Sequence, residues 1–168
     1  MKNLAFLFVV IVSAVFANQS KADVNAKING YSGDIFAMES SSPSTIFVGG
    51  GDGRMWKTDN LLSAFTEIYT GLPTNGPPVI CIKFLNSTTG FASAGGRLSK
   101  TTDGGITWIL TPQFTSNGIF DIYFLSNDTI IAVTSNSGMF RSTDAGASWI
   151  NQSPALSGGL YALAFVGD

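Results

Sequence analysis

An eight-residue string occurs twice in this chain at a fixed spacing. Thr101-Thr102-Asp103-Gly104-Gly105-Ile106-Thr107-Trp108 returns as Ser142-Thr143-Asp144-Ala145-Gly146-Ala147-Ser148-Trp149, with the two tryptophans 41 positions apart. A worn copy, Thr58-Asp59-Asn60-Leu61-Leu62-Ser63-Ala64-Phe65, ends 43 positions before Trp108. A period near 40 residues means that one supersecondary unit is repeated, and that each unit buries its apolar faces against its neighbours. That constraint decides the fold before any local reading does.

The segments between the strings repeat in the same register. Each unit opens on an apolar run: Ile35-Phe36-Ala37-Met38, then Val79 to Phe84, then Ile119 to Phe124, and Leu160 to Phe165 opens a fourth. A polar turn follows, then a second run (Thr45 to Val48, Phe91 to Ala94, Thr129 to Val133) and a turn rich in Gly or Asn. Such turns suit hairpins, because Gly and Asn tolerate positive φ. A third run leads into the octet, and the residues after its aromatic position make a fourth. No window has a sustained 3.6-residue period, so helix should be scarce outside the N-terminal segment. Four short strands per repeat of about 40 residues describe a β-propeller blade. The expected fold is all-β: four-stranded antiparallel blades at 34–78, 79–118 and 119–159, with a fourth beginning at 160–168. About three and a half blades are fewer than the roughly four to eight of a closed propeller. Further blades or partner chains are therefore expected to close the ring.

Residues 1–22 read as a secretory signal. Lys2 supplies the positive start, Leu4 to Ala14 the apolar run, and Val15-Phe16-Ala17 or Ser20-Lys21-Ala22 a cleavage site. The apolar run is too short to span a bilayer, so no transmembrane segment is expected after cleavage. Residues 23–33 are a polar lead-in, and the expected location is secreted or periplasmic. A net charge of −2 argues against a general nucleic-acid binder, which would carry a basic field. The single cysteine, Cys81, cannot make an internal disulfide, and its apolar neighbours mark it as a small buried hydrophobe. The chain has no histidine. That removes His-dependent triads and the commonest zinc ligand. No cofactor or metal is expected.

The octet has the chemistry of a turn. Asp103 and Asp144 can accept hydrogen bonds from backbone N–H groups left free there. Gly105 and Gly146 permit a left-handed conformation. Thr101 and Ser142 add a hydroxyl to the same network, and Trp108 and Trp149 bury a large ring. In the worn copy Thr58 keeps the hydroxyl, Asn60 replaces the Asp and Phe65 the Trp. Leu62 stands where the glycine would be, so that turn should differ in shape.

The octet resembles the Asp-box, Ser/Thr-x-Asp-x-Gly-x-Thr-Trp, of the BNR-repeat β-propellers. Those families include sialidases, sortilin-like receptors, xyloglucan-degrading propellers and photosystem II assembly factors. The resemblance covers roughly residues 34 to 168, the N-terminal portion of such a protein. It implies that Thr101, Asp103, Gly105, Trp108, Ser142, Asp144, Gly146 and Trp149, with the degenerate Thr58, Asn60 and Phe65, are structural and peripheral rather than catalytic.

A sialidase-like site would need an arginine cluster. The three arginines are Arg54, Arg97 and Arg141. The first two hold equivalent positions in successive repeats, a pattern of strand decoration. The family's Phe/Tyr-Arg-Ile-Pro motif is absent, the chain reading Asn29-Gly30-Tyr31-Ser32-Gly33-Asp34 in that place. A paired-carboxylate glycosidase would need two acids in a site. The only glutamates are Glu39 and Glu67, and Glu39, read as following the innermost strand, is the better placed. Gly49-Gly50-Gly51-Asp52-Gly53 lacks the Lys-Ser/Thr of a phosphate loop and reads as a hairpin turn. No catalytic residue is assigned. The leading reading is a secreted, non-catalytic propeller that binds or scaffolds a protein or a carbohydrate. The alternatives are a fragment of an exported glycoside hydrolase with catalytic residues in missing blades, and a photosystem-assembly-like factor.

Overall fold

The computed structural model describes residues 28, 31–60, 64–136, 138–152 and 159–163. The signal segment, nearly all of the lead-in, and Leu62 lie outside the described residues.

Twelve strands form three four-stranded antiparallel sheets, each joining neighbours in chain order. The first holds β1 (Ile35–Ser40), β2 (Ile46–Gly50), β3 (Met55–Thr58) and β4 (Thr66–Ile68). The second holds β5 (Val79–Phe84), β6 (Gly90–Ala94), β7 (Arg97–Thr101) and β8 (Ile109–Leu110). The third holds β9 (Ile119–Phe124), β10 (Ile130–Thr134), β11 (Gly138–Ser142) and β12 (Ile150–Asn151). No helix occurs among the described residues. The sheets meet through their first strands, β1 against β5 and β5 against β9, so these are the inner strands of three propeller blades.

The burial pattern explains the apolar runs of the second strands. Every residue of β2, β6 and β10 is buried. A strand covered on both faces reads as a continuous apolar run, not as an alternating one. The last strand of each blade is short and open to solvent, with Ile109 and Ile150 exposed at 72% and 65%.

Each blade has a leading face toward the blade before it and a trailing face toward the blade after it. Between the first two blades, Phe47 and Met55 of the first meet Val79, Ile82, Ala92, Ala94 and Trp108 of the second. Between the second and third, Cys81, Phe91 and Leu98 meet Ile119, Ile122, Ile130 and Ala132. The leading face of the first blade packs Ile46, Val48, Trp56 and Phe65 under Ile28 and Tyr31.

The octet turn crosses each of these boundaries. Gly105 has φ +78°, and a Cβ on it would lie 2.4 Å from the Phe47 ring of the preceding blade. Gly146 has φ +87°, and its Cβ would lie 2.9 Å from Phe91, the register-equivalent of Phe47. Lys100 reaches the same way: it lies 5.5 Å from the Phe91 ring centroid, and its Nζ donates to the Ala145 carbonyl of the next turn at 2.7 Å. Residues 159–163 continue the pattern. Leu160 N–H donates to Thr134 O at the end of β10, and Leu163 N–H donates to the Asp121 carboxylate of β9.

Gly104 also has positive φ (+74°), but its added Cβ would stand 3.1 Å from the Ser87 carbonyl, clear of any ring. An L-residue in the left-handed region costs about 1–2 kcal/mol, and overpacking a core adds about 1–3 kcal/mol. Gly105→Ala should therefore destabilise the protein more than Gly104→Ala by about 1–3 kcal/mol in urea unfolding; equal losses would mean that Phe47 yields without cost.

Candidate functional site

In the two intact turns the aspartate is consumed by its own octet. Asp103 Oδ1 accepts from the Ile106 and Thr107 N–H groups at 3.1 and 2.9 Å and from the Thr101 hydroxyl at 2.8 Å, while Oδ2 accepts from the Thr107 hydroxyl. Thr101 Oγ1 in turn accepts from Gly105 N–H at 2.9 Å. Asp144 repeats this with Ser148 N–H at 2.8 Å, the Ser148 hydroxyl and the Ser142 hydroxyl, and Ser142 Oγ accepts from Gly146 N–H. These bonds to the charged form hold both carboxyls down at about 2; the largest contribution comes from the Thr107 hydroxyl for Asp103 and from the Ser148 hydroxyl for Asp144. Thr107 and Ser148 were not singled out in the sequence, although the seventh octet position carries a hydroxyl in both intact copies.

The aromatic positions differ. Trp108 meets Phe47 and Phe84 edge-on, each at 6.0 Å, and its Nε1 has no described partner. Trp149 stacks on Phe114 at 4.6 Å and donates from Nε1 to the Gly146 carbonyl at 3.2 Å. In the worn copy, Thr58 Oγ1 donates to the Asn60 carbonyl at 2.7 Å, and Phe65 is buried against the first blade.

The three arginines do not converge. Arg54 is held by Asp52 at 2.7 Å and Glu67 at 3.5 Å, against the adjoining rings of Tyr31 and Trp56. Arg97 lies on β7 and Arg141 on β11, both exposed.

Charge collects instead on the inner strands. Glu39 is inside β1 and half-buried, not beyond the strand as its sequence position implied. Burial raises its carboxyl, against the opposing pull of Lys83 and a hydrogen bond from Phe84. Lys83 of β5 lies 3.6 Å from Asp121 of β9. Asp121 accepts from its neighbour Ile122 N–H and, across the boundary, from Leu163 N–H. Beneath these groups lies Cys81, whose thiol burial pushes up to about 12, with Asp121 adding to the shift. No group of three or more metal-ligating side chains occurs among the described residues.

A second feature recurs at the start of each inner strand. The pairing of the first and second strands skips one residue, between Ile35 and Ala37, between Val79 and Cys81, and opposite Val133/Thr134. The unpaired residues are Phe36, Ile80 and Phe120. A bulge re-aims the side chain it carries. Phe36 is 53% exposed, and Tyr161, in the same position of residues 159–163, is 62% exposed. Phe120 and Tyr161 meet edge-to-face at 4.8 Å, and Phe120 and Ile80 both border Gly118. The result is a large apolar side chain at the same position of each inner strand, with Ile80, Phe120 and Tyr161 following one another from the second blade onward. Beside Phe36 lies a cavity of about 540 Å³, lined among others by Tyr31, Asp34, Asp52 and Arg54.

The chain matches no protein-family model and no curated protein. It does match solved structures. YCF48 from Cyanidioschyzon merolae is 19% identical with a TM-score of 0.65, over 80% of this chain and 46% of that one. A structure described as YCF48 bound to D1 peptide gives 20% identity and 0.61, over 70% and 39%. The GH74 enzyme of Niastella koreensis gives 21% and 0.57, over 71% and 22%. The fold is that of a β-propeller, and the chain spans less than half the length of each of these neighbours.

Two outcomes follow from the titrating groups. The Asp103 and Asp144 carboxyls sit below their ordinary value of 3.8, so their contribution is complete above about pH 4 and is lost as pH falls through about 2. Asp103→Asn should lower the melting temperature at neutral pH and flatten the loss of stability between pH 4 and 2. A variant curve parallel to wild type would show that Asp103 carries no such linkage. Cys81, sealed and held as the neutral thiol, should react with an aromatic disulfide reagent only on unfolding. Stoichiometric labelling of the native protein would contradict that placement.

Proposed function

We propose that the chain is an exported, non-catalytic Asp-box propeller module that binds another protein, and that the bulge row formed by Phe36, Ile80, Phe120 and Tyr161 is its contact surface. The row is the observation that carries this reading. Large apolar side chains at 53% and 62% exposure, aligned across four successive units, leave apolar surface in contact with water where a ligand could cover it. Partly exposed aromatic residues are also the side chains that most often anchor protein interfaces. The structure of YCF48 bound to D1 peptide adds that a propeller of similar fold takes a peptide. In this reading the intact octets hold the blades together and do no chemistry. Residues 1–22 direct export to a secreted or periplasmic location, and the blades divide at 34–78, 79–118 and 119–159.

The test is an array of extended synthetic peptides probed with the full chain. Binding should fall about tenfold or more in the Phe36→Ser/Tyr161→Ser double variant, with the melting temperature unchanged. Undiminished binding would remove the row from the site.

A glycoside hydrolase is the second reading. It is favoured by two inner-strand carboxylates, Glu39 and Asp121, flanking Lys83, and by the likeness to a GH74 enzyme. Turnover of an aryl glycoside that Glu39→Gln abolishes would establish it over the first.

A further inference from the structure

Asn29, Asn75 and Asn117 are each followed by glycine. Such a pair carries its own electrophile and nucleophile. The side-chain amide carbon can close a five-membered ring with the next main-chain nitrogen, and glycine puts no side chain in the way. Whether the pair reacts depends on how firmly the fold ties its groups down. Asn29 lies outside the described residues.

Asn75 sits in the connector from β4 to β5, exposed and with φ +56°. No hydrogen bond to its side chain occurs among the described residues. The Gly76 N–H donates to Asp52 O at 3.4 Å, the long end of a hydrogen bond. Asn117 is held far more closely. It is half-buried, its N–H donates to the Thr115 hydroxyl at 3.0 Å, and its side chain takes part in further contacts. Gly118 borders Phe120 and Ile80, and its carbonyl accepts from Ser135 N–H at 3.0 Å. Among the other candidates, Asn86 Oδ1 accepts from the Thr88 and Thr89 N–H groups and from the Thr88 hydroxyl. Asp52 and Asp103 also precede glycine, but their carboxylates are engaged by Arg54 and by the octet.

We propose that Asn75 is a self-modifying site, at which the Gly76 nitrogen closes on Cγ and converts the asparagine, through a succinimide, to isoaspartate and aspartate. The Gly76 nitrogen gives its proton to water and forms the N–Cγ bond. The Cγ–Nδ2 bond breaks, and Nδ2 leaves as ammonia on taking up a proton. Water then opens the ring. Breaking the N–Cγ bond gives aspartate; breaking the bond from nitrogen to the main-chain carbonyl carbon gives isoaspartate, with the chain running through Cγ. Water enters, ammonia leaves, and nothing is oxidised or reduced.

The consequence falls on the first blade. A Cβ on Gly53 would overlap the Pro73 carbonyl oxygen and stand 3.2 Å from that of Pro77, so the β2–β3 turn lies within the arc of connector that contains Asn75. Isoaspartate lengthens this arc by a main-chain atom and adds a negative charge beside the Gly76 bond to Asp52. The connector should loosen from the turn, whatever the chain binds.

The experiment holds the full chain at mildly alkaline pH, folded in buffer and unfolded in urea, and locates isoaspartate by peptide mapping. In the folded chain the product at position 75 should form about tenfold or more faster than at 117, and in urea the difference should vanish. Gly76→Ala should suppress the product at 75 in both conditions and leave 117 unchanged; the urea arm reads this even where the variant folds poorly. Converted protein should melt below fresh protein. Equal rates at 75 and 117 in the folded chain, an unreacted Asn75 where Asn117 has reacted, or undiminished product at 75 in Gly76→Ala would each overturn the proposal. An unchanged melting temperature after conversion would overturn the loosening.

Discussion

The contact on which the architecture depends is that of a bare glycine on the ring of the preceding blade. Gly105 lies on Phe47 and Gly146 on Phe91, so close that a methyl group would overlap the ring. The octet is thus shaped from both sides. Within the blade, the aspartate and hydroxyl groups fix the turn; across the boundary, the missing side chain lets the turn lie down on its neighbour. Trp108 then closes the pocket edge-on against Phe47 and Phe84. Apolar burial drives the association of the blades, and the glycine contact sets how near they come.

Because each boundary draws on both partners, a blade's identity is written partly in the next one. Phe47 belongs to the first sheet, where its ring lies 5.7 Å from Lys57 Nζ, but it also serves the blade that follows. Its size is matched to a position 58 residues further along. Lys100 likewise contributes to a turn that belongs to the third blade.

The fold was legible because its period was. Equivalent octets, equivalent apolar runs and the spacing of Phe65, Trp108 and Trp149 prescribe strands that the three sheets reproduce, and the absence of a helical period is matched among the described residues. The inner strands were read less well. Phe36, Ile80 and Phe120 are apolar like their neighbours, so nothing in the letters marks them as unpaired. At the other end of β1, the pairing of Glu39 with Phe47 and of Ser40 with Ile46 carries the strand on to Ser40, which puts Glu39 within it. Nor could the sequence show that Lys83 and Asp121, from different repeats, would stand 3.6 Å apart. The hydroxyls of Thr107 and Ser148 were visible, but their part in fixing the aspartates depends on the turn's curvature, which brings residues four apart together. What the chain binds was not legible, because a row of exposed aromatic residues has no motif.

The hydrogen bonds that the aspartate and hydroxyl side chains make within each intact octet all span four residues or fewer. Closing so short a segment costs little chain entropy compared with bringing distant strands together. Each turn can therefore form from local information alone, while the polypeptide is still emerging, and hold its two flanking strands in register before any neighbouring blade exists. Assembly can then proceed in chain order, each finished hairpin offering the ring on which the next glycine will settle.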